Sequence, residues 1–334
     1  MCLHVLVISD LTIKIPRIAI SLTAILSLAA MCVFVGMVGA QGQTSGAQLP
    51  KNEAPVPKGL TGPHLELATV YVSAYDRDSK LVDGLQKEAF RIYEDRAEQK
   101  ISEFSHEDTP ASIGLLIEHS GSTKGLVDYF NTAASRFLHS GNPQDEFFVA
   151  NFNDHLEIGK TPEELTALLT DQSPHGGTAL LDALYVGLGR LVATRNSKKA
   201  LLIISNGSDN RSRHNREELR KLVREAGILI YSLIWNEAPV VGSNEEVNGS
   251  DFLIEISKLS GGRAITVRDP HYFSPFAEDI AVEIRKLYQL GYYPTNGPDD
   301  KRWRKLEVKV QTRNVRGPLT IYAPPGYVYP AAVR

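Results

Sequence analysis

An apolar run, Ile113-Gly114-Leu115-Leu116-Ile117, leads to a carboxylate at Glu118, and hydroxyls follow at Ser120 and Ser122. A Ser-x-Ser step in a turn lets both hydroxyls point the same way and take neighbouring positions around one centre. Two more polar stretches adjoin apolar elements: HGGTALLD at 175–182, carrying Thr178, and SNGSDNRS at 205–212, carrying Asp209. A carboxylate, two serines, a threonine and a second acidic position make an oxygen-only donor set. Hard divalent cations such as Mg²⁺ take such ligands, with near-octahedral geometry and one or two carboxylates among them. An open position on such a cation can accept a carboxylate from a partner protein.

Other chemistries have weaker footing in the sequence. Ser120 or Ser122 could act as a nucleophile with His119, His175 or His214 as base and Asp182 or Asp209 orienting it. EHSGS, however, is not a G-x-S-x-G elbow, and neighbours such as His119 and Ser120 seldom form a productive pair. No phosphate-cradling loop or dinucleotide fingerprint follows the first buried run, and the glycines of YVGLGRL (185–191) fall inside a helical pattern. The nine histidines lack H-x-x-x-H spacing, so a histidine zinc site is not indicated. Asp182 stands one helical turn beyond Thr178, placed either to brace that loop or to serve as a solvated or capping carboxylate.

The elements that must carry these residues change character along the chain. LELATVYVSAYD (64–75), AFRIYED and QKISEFSHED alternate with period two, as half-buried strands do. From 112 onward, strand and helix signals take turns. SIGLLIEHS, DEFFVANFND, KKALLIISNG, ILIYSLIWN and RAITV read as strands. GLVDYFNTAASRFLHS, TPEELTALLTDQ, TALLDALYVGLGRLVAT, REELRKLVREAG, DFLIEISKLSGG and SPFAEDIAVEIRKLYQLGYYP read as helices. Such alternation predicts a doubly wound, mostly parallel α/β sheet with helices on both faces. Period two returns in RKLEVKVQTR and LTIYAPPGYVYP. Two β pieces of this size have too little core to stand alone, so one small β-sandwich built from both chain ends is expected to flank the α/β domain. The expected boundaries are a leader at 1–40, a linker at 41–62, sandwich at 63–110, α/β domain at 111–294 and sandwich again at 295–334. In such a sheet, ligands bind at the carboxyl ends of strands near the switch point, where the three polar stretches fall.

On these residues the chain resembles a von Willebrand factor A domain. That family's metal-ion-dependent adhesion site reads D-x-S-x-S, then a threonine, then an aspartate on a later strand end. The wider chain is similar to a family of exported bacterial proteins related to this domain and described mainly from acidobacteria. AFRIYEDRAEQKISEF, SIGLLIEHSGS, GGTALLDAL, ALLIISNGSDNRS, LSGGRAI and IRKLYQLGYYP carry the resemblance in order over roughly 64–328. It implies Rossmann-type topology and a metal set of Glu118, Ser120, Ser122, Thr178 and Asn206, with Mg²⁺ as the cation. Ser120, Ser122 and Thr178 agree with the pattern. Glu118 replaces the first aspartate and reaches one methylene further; Asn206 replaces the later aspartate and loses its charge. Asp209, three residues on, could compensate through a water. Two alternatives stay open: a weakly held cation, or a degenerate site whose side chains hydrogen-bond one another.

Composition narrows the partners. A net charge of −3 argues against a nucleic-acid binder that works by neutralising phosphates. Lys14 and Arg17 precede an uncharged run at 18–40 that ends in small residues. This fits a secretory signal cut after Ala40, or an uncleaved membrane anchor, and either implies export. Cys2 and Cys32 lie within that leader, so the rest of the chain holds no thiol. The expectation is an exported, non-enzymatic interaction protein, secreted, periplasmic or held at the cell envelope. It would bind a protein through residues 118–125, 175–182 and 206–214, with or without metal.

Overall fold

The computed structural model describes residues 67–171, 173–236, 244–295, 302–312 and 317–328. The expected leader and linker lie outside them. In chain order the elements are β1 (Ala68–Tyr75), β2 (Phe90–Glu94), β3 (Ala97–Gln99), β4 (Ile101–Ser105), β5 (Ala111–Glu118), α1 (Val127–Ser140), β6 (Glu146–Phe152), β7 (Leu156–Gly159) and α2 (Pro162–Thr170). There follow α3 (Leu180–Val192), β8 (Lys198–Ser205), α4 (Arg216–Ala226), β9 (Leu229–Trp235), α5 (Asn244–Ser260), β10 (Ala264–Val267) and α6 (Phe273–Arg285). The chain closes with β11 (Tyr288–Tyr292), β12 (Trp303–Val310), β13 (Thr320–Tyr322) and β14 (Gly326–Val328).

Every residue of β5 is buried, as its unbroken apolar run requires for a strand covered on both faces. It lies inside a six-stranded sheet of order β10-β9-β8-β5-β6-β7. All neighbours in that sheet are parallel except β7, which returns antiparallel along the β6 edge. Alternate side chains of β5 face opposite layers. Ile113, Leu115 and Ile117 pack with Phe130 and Phe137 of α1 and Ile280 of α6. Leu116 packs on the other side with Leu184 of α3, Leu219 of α4 and Ile256 of α5. This is the doubly wound α/β fold. Its order reverses between β5 and β8, because β5 leads by α1 to β6 on one side and β8 leads by α4 to β9 on the other.

Two four-stranded antiparallel sheets, β13-β1-β11-β4 and β14-β12-β2-β3, form the flanking sandwich. Each mixes strands from before and after the α/β unit, so neither chain end completes a sheet by itself. Val70, Val72, Ile92, Leu290, Tyr292 and Leu306 share its core.

The structure departs from the expected elements in three places. A helix is expected through the whole of 274–294, but α6 stops at Arg285 and Tyr288–Tyr292 become β11, paired with both β1 and β4. Tyr288, Leu290 and Tyr292 are all fully buried, which is period two; the helical period ends with Ile284. The short strand β7 follows directly on β6, where the sequence has no glycine or proline to announce a turn. Thr178 does not open a helix; α3 begins two residues later, at Leu180. Among the described residues no helix is long and apolar enough to cross a membrane.

Candidate functional site

Register puts the site together. In the parallel β5–β8 pair, Ile117 lies opposite Ile204, so Glu118 and Ser205 are the next step at the carboxyl ends of adjacent strands. The Ser205 hydroxyl donates to Glu118 Oε2 at 2.7 Å, and the Asn206 backbone N–H donates to the same oxygen at 3.0 Å.

The loop after β5 turns at once through a single 3₁₀ turn at Gly121–Thr123, held by Thr123 Oγ1 donating to Ser120 O at 2.9 Å. This turn swings both serine hydroxyls back over the strand end. Ser120 Oγ donates to Glu118 Oε1 at 2.6 Å, and Ser122 Oγ reaches the same oxygen at 3.4 Å. Thr178 joins from a loop 60 residues away, its hydroxyl donating to Oε1 at 3.1 Å. Backbone hydrogen bonds between loops hold it there: Gly121 N to Gly176 O, His175 N to His119 O, and Asn210 N to Thr178 O. Gly176 (φ 74°) and Gly207 (φ 85°) occupy left-handed conformations in two of these loops, a backbone that side-chain-bearing residues resist.

The structure therefore brings Glu118, Ser120, Ser122 and Thr178 into one cup, with Asn206 at its rim. Glu118, Ser120 and Thr178 are buried, whereas Ser122 is exposed and Asn206 half-exposed. Asp209 does not join. Its Oδ1 accepts from Leu180 N at 3.1 Å and from Ser212 Oγ at 2.7 Å, so it caps the start of α3 and ties the loop after β8 to it. Asp182 likewise holds that loop, accepting from the N–H groups of Arg213 (3.0 Å) and His214 (2.9 Å) and from His214 Nδ1 (2.7 Å). Burial alone would raise the Asp182 pKa; the hydrogen bonds from His214 and Arg213 outweigh it and hold the carboxyl below its usual range. Ser205 and Asn210, whose side-chain oxygen receives Thr178 N at 2.9 Å, were not singled out from sequence. The signal for Ser205 was its place as the last residue of a buried strand.

Glu118 is the key to the cup. The glutamate takes five hydrogen bonds from neutral donors, three on Oε1 and two on Oε2. Its extra methylene carries Oε1 to the point on which the three hydroxyls converge. A cation with ligand distances of ~2.1 Å needs that same point. Asn206 turns its amide nitrogen to Ser122 Oγ at 2.9 Å, while its side-chain oxygen accepts from Ser208 N at 2.8 Å. It thus offers the centre a donor rather than a ligand oxygen. In this arrangement the donor set does not fit a six-coordinate cation. Among the described residues no group of three or more His, Cys, Asp or Glu is placed to hold a metal.

Among the described residues no histidine is hydrogen-bonded to Ser120 or Ser122. The His119 ring faces away from Ser120, with Nε2 hydrogen-bonded to Asn131 Oδ1 at 3.1 Å and Nδ1 3.5 Å from Asp171 Oδ2. His214 is stacked on Tyr185 and bound to Asp182.

No family model and no curated protein matches the chain. Solved structures do. A von Willebrand factor type A protein from Catenulispora acidiphila is 10% identical, with a TM-score of 0.44 over 81% of this chain and 75% of that one. Proximal thread matrix protein 1 from the mussel byssus is 15% identical, with a TM-score of 0.44 over 55% of this chain and 48% of that one. The mussel protein has also been solved with a zinc-occupied MIDAS motif. The conserved hypothetical protein BatB from Bacteroides thetaiotaomicron is 16% identical, with a TM-score of 0.40 over 52% of this chain and 98% of that one. The match thus spans about half the length of the mussel protein.

Proposed function

We propose that this chain is an exported, non-enzymatic interaction module of the von Willebrand factor A type. It binds a protein partner on the loops at the carboxyl ends of β5 and β8, and it does so without a metal ion. The observation that carries this reading is the cup itself. Hydroxyls from two loops and from the last residue of β8, together with the Asn206 amide, are held at the switch point of the sheet, where doubly wound folds bind their ligands. The Glu118 carboxylate anchors those hydroxyls from below. Exposed Ser122 and half-exposed Asn206 present polar groups to whatever docks there. No histidine ring is hydrogen-bonded to Ser120 or Ser122 among the described residues, which supports binding over a Ser-His type of hydrolysis.

The test is cross-linking capture from cell-envelope extracts with three baits: the native protein, Ser122→Arg, and Arg136→Ala on the distant face of α1. The native and Arg136→Ala baits are expected to retain the same proteins with and without a chelator, and Ser122→Arg to lose them. Equal capture by all three baits would refute the docking face. Loss of capture with chelator would instead restore a metal to the site.

A further inference from the structure

Beside the cup, on the β6 side of β5, lies a second polar feature, which shares the loop after β5 with the docking face but not Ser122 or Asn206. A cavity of about 90 Å³ opens between the ends of β5 and β6 and the residues Asp171, Ser173 and His175. It has room for a few waters at ~30 Å³ each. Two buried lining groups have no hydrogen-bond partner, and a carboxylate, Asp171, whose Oδ1 accepts from Ser173 N at 3.0 Å, lies beside them. His119 is 3% exposed and its Nδ1 has no hydrogen-bond partner; Asn151 is 5% exposed and its Oδ1 has none either. Asp171 Oδ2 stands 3.5 Å from His119 Nδ1.

All three are acceptors. The Asn131 amide nitrogen donates to Asp171 O at 2.9 Å, which leaves Asn131 Oδ1 to accept from His119 Nε2–H. A neutral ring with its proton on Nε2 has a lone pair on Nδ1. Asn151 uses its amide nitrogen on Leu168 O at 2.8 Å, so its free group is the carbonyl oxygen. Buried acceptors left without donors cost free energy, and a protein normally satisfies them. The complement is a compact group with several N–H donors and a positive charge to face Asp171.

We propose that this cavity binds an alkylammonium group, R–CH₂–NH₃⁺, whose three hydrogens go to His119 Nδ1, Asn151 Oδ1 and Asp171 Oδ2. The ammonium is a strong multiple donor and no acceptor, which matches the two unpartnered acceptors and the carboxylate beside them. Glu157 at the rim adds a second negative charge, and the exposed rim leaves a path for the alkyl stem. The group can arrive as a lysine side chain of a docked partner, which rests on the interaction reading above, or as a free small amine, which does not.

The experiment is an NMR titration of the ¹⁵N-labelled protein with three probes: Nα-acetyl-lysine methylamide, methylammonium chloride, and Nα-acetyl-norleucine methylamide as the uncharged control. Saturable shifts at the amides of Phe152, Asn153 and Asp171 are expected with the lysine probe, with methylammonium, or with both, and not with norleucine. Lysine alone points to a peptide-borne group, and methylammonium alone to a free amine. Asp171→Asn should weaken binding at least about tenfold, as loss of a charge-assisted hydrogen bond does. Asp171 is half-exposed, and an unchanged unfolding midpoint would show that the variant folds. Ser122→Arg, outside the cavity, should leave amine binding intact even where it abolishes partner capture, which separates the two proposals. Absence of saturation, equal response to norleucine, shifts confined to Ser122 and Asn206, or an unaltered affinity in Asp171→Asn would each overturn it and leave the cavity to water.

Discussion

A single methylene decides the chemistry of the cup. An aspartate at 118 would end short of the hydroxyl centre; the glutamate reaches it and takes the hydrogen bonds that a bound cation would replace. Removing that acceptor leaves buried donors on Ser120, Thr178 and Ser205 unmatched, so Glu118→Ala should destabilise the protein by about 3 kcal/mol, read from urea unfolding. The complementary variant is Glu118→Asp with Asn206→Asp, which withdraws the carboxylate and restores a second one. Calorimetry should show saturable Mg²⁺ heat in the double variant and none in the native protein. Heat from the native protein would overturn the view that Glu118 holds the centre. From sequence, Ser120, Ser122 and Thr178 could be read because a carboxylate followed by a Ser-x-Ser step matches a known pattern, whereas Ser205 carried no such spacing. Whether Glu118 would hold a cation or take its place could not be read, because that depends on where a carboxylate ends in space.

At the scale of elements, local signals worked where the chain itself supplies the hydrogen bonds. Thr161 caps α2, accepting from Glu164 N, and Glu164 reciprocates to Thr161 N, as Thr-Pro-Glu-Glu predicts. Asn215 caps α4 with Glu218 in the same way, and Gly227 ends that helix in a left-handed conformation (φ 62°). Asn215→Ala should cost about 1 kcal/mol, measurable as a shift in the urea midpoint. The signals failed where distant partners decide. Tyr288–Tyr292 follows α6 with no glycine or proline between them, and pairing with β1 and β4, roughly 200 residues upstream, makes it a strand. The loop after β8 is another tertiary product, held by Asp182 from α3. Its folded pKa is lowered, so the bracing is complete above the ordinary aspartate value of about 3.9 and fades as pH falls through the lower folded value. The amide resonances of Arg213 and His214 should titrate together with a midpoint below that ordinary value. A midpoint at or above it would mean that Asp182 is not what holds the loop.

At the scale of the molecule, the sandwich and the α/β unit are joined by more than two chain crossings. Glu283 of α6 is fully buried and sits where the two meet. It accepts from Ser73 Oγ at 2.7 Å and Tyr75 OH at 2.6 Å, both on β1 of the sandwich. It also accepts from Arg263 Nε at 2.6 Å and Tyr231 OH at 3.3 Å, both on the α/β side. Burial, with the carboxylate beside it, holds the Tyr75 hydroxyl far above its ordinary pKa; burial alone would lower the Arg263 pKa, and the same carboxylate with the buried tyrosines outweighs it and raises it. Glu94 and Arg304, both fully buried and 3.1 Å apart, link β2 to β12 inside the sandwich in the same manner. Removing one partner of such a pair strands the other, at a cost of about 3 kcal/mol. Glu283→Gln should therefore weaken both units at once. The two tryptophans are placed to report this, Trp235 on β9 of the α/β sheet and Trp303 on β12 of the sandwich, where Arg224 of α4 lies 5.5 Å over its ring. Single-tryptophan versions, Trp303→Phe and Trp235→Phe, should give coincident urea transitions, and Glu283→Gln should move both by the same amount. If the two probes separate in the native background, the buried carboxylate does not couple the units, and the sandwich is a passenger on the α/β domain rather than the frame that fixes it.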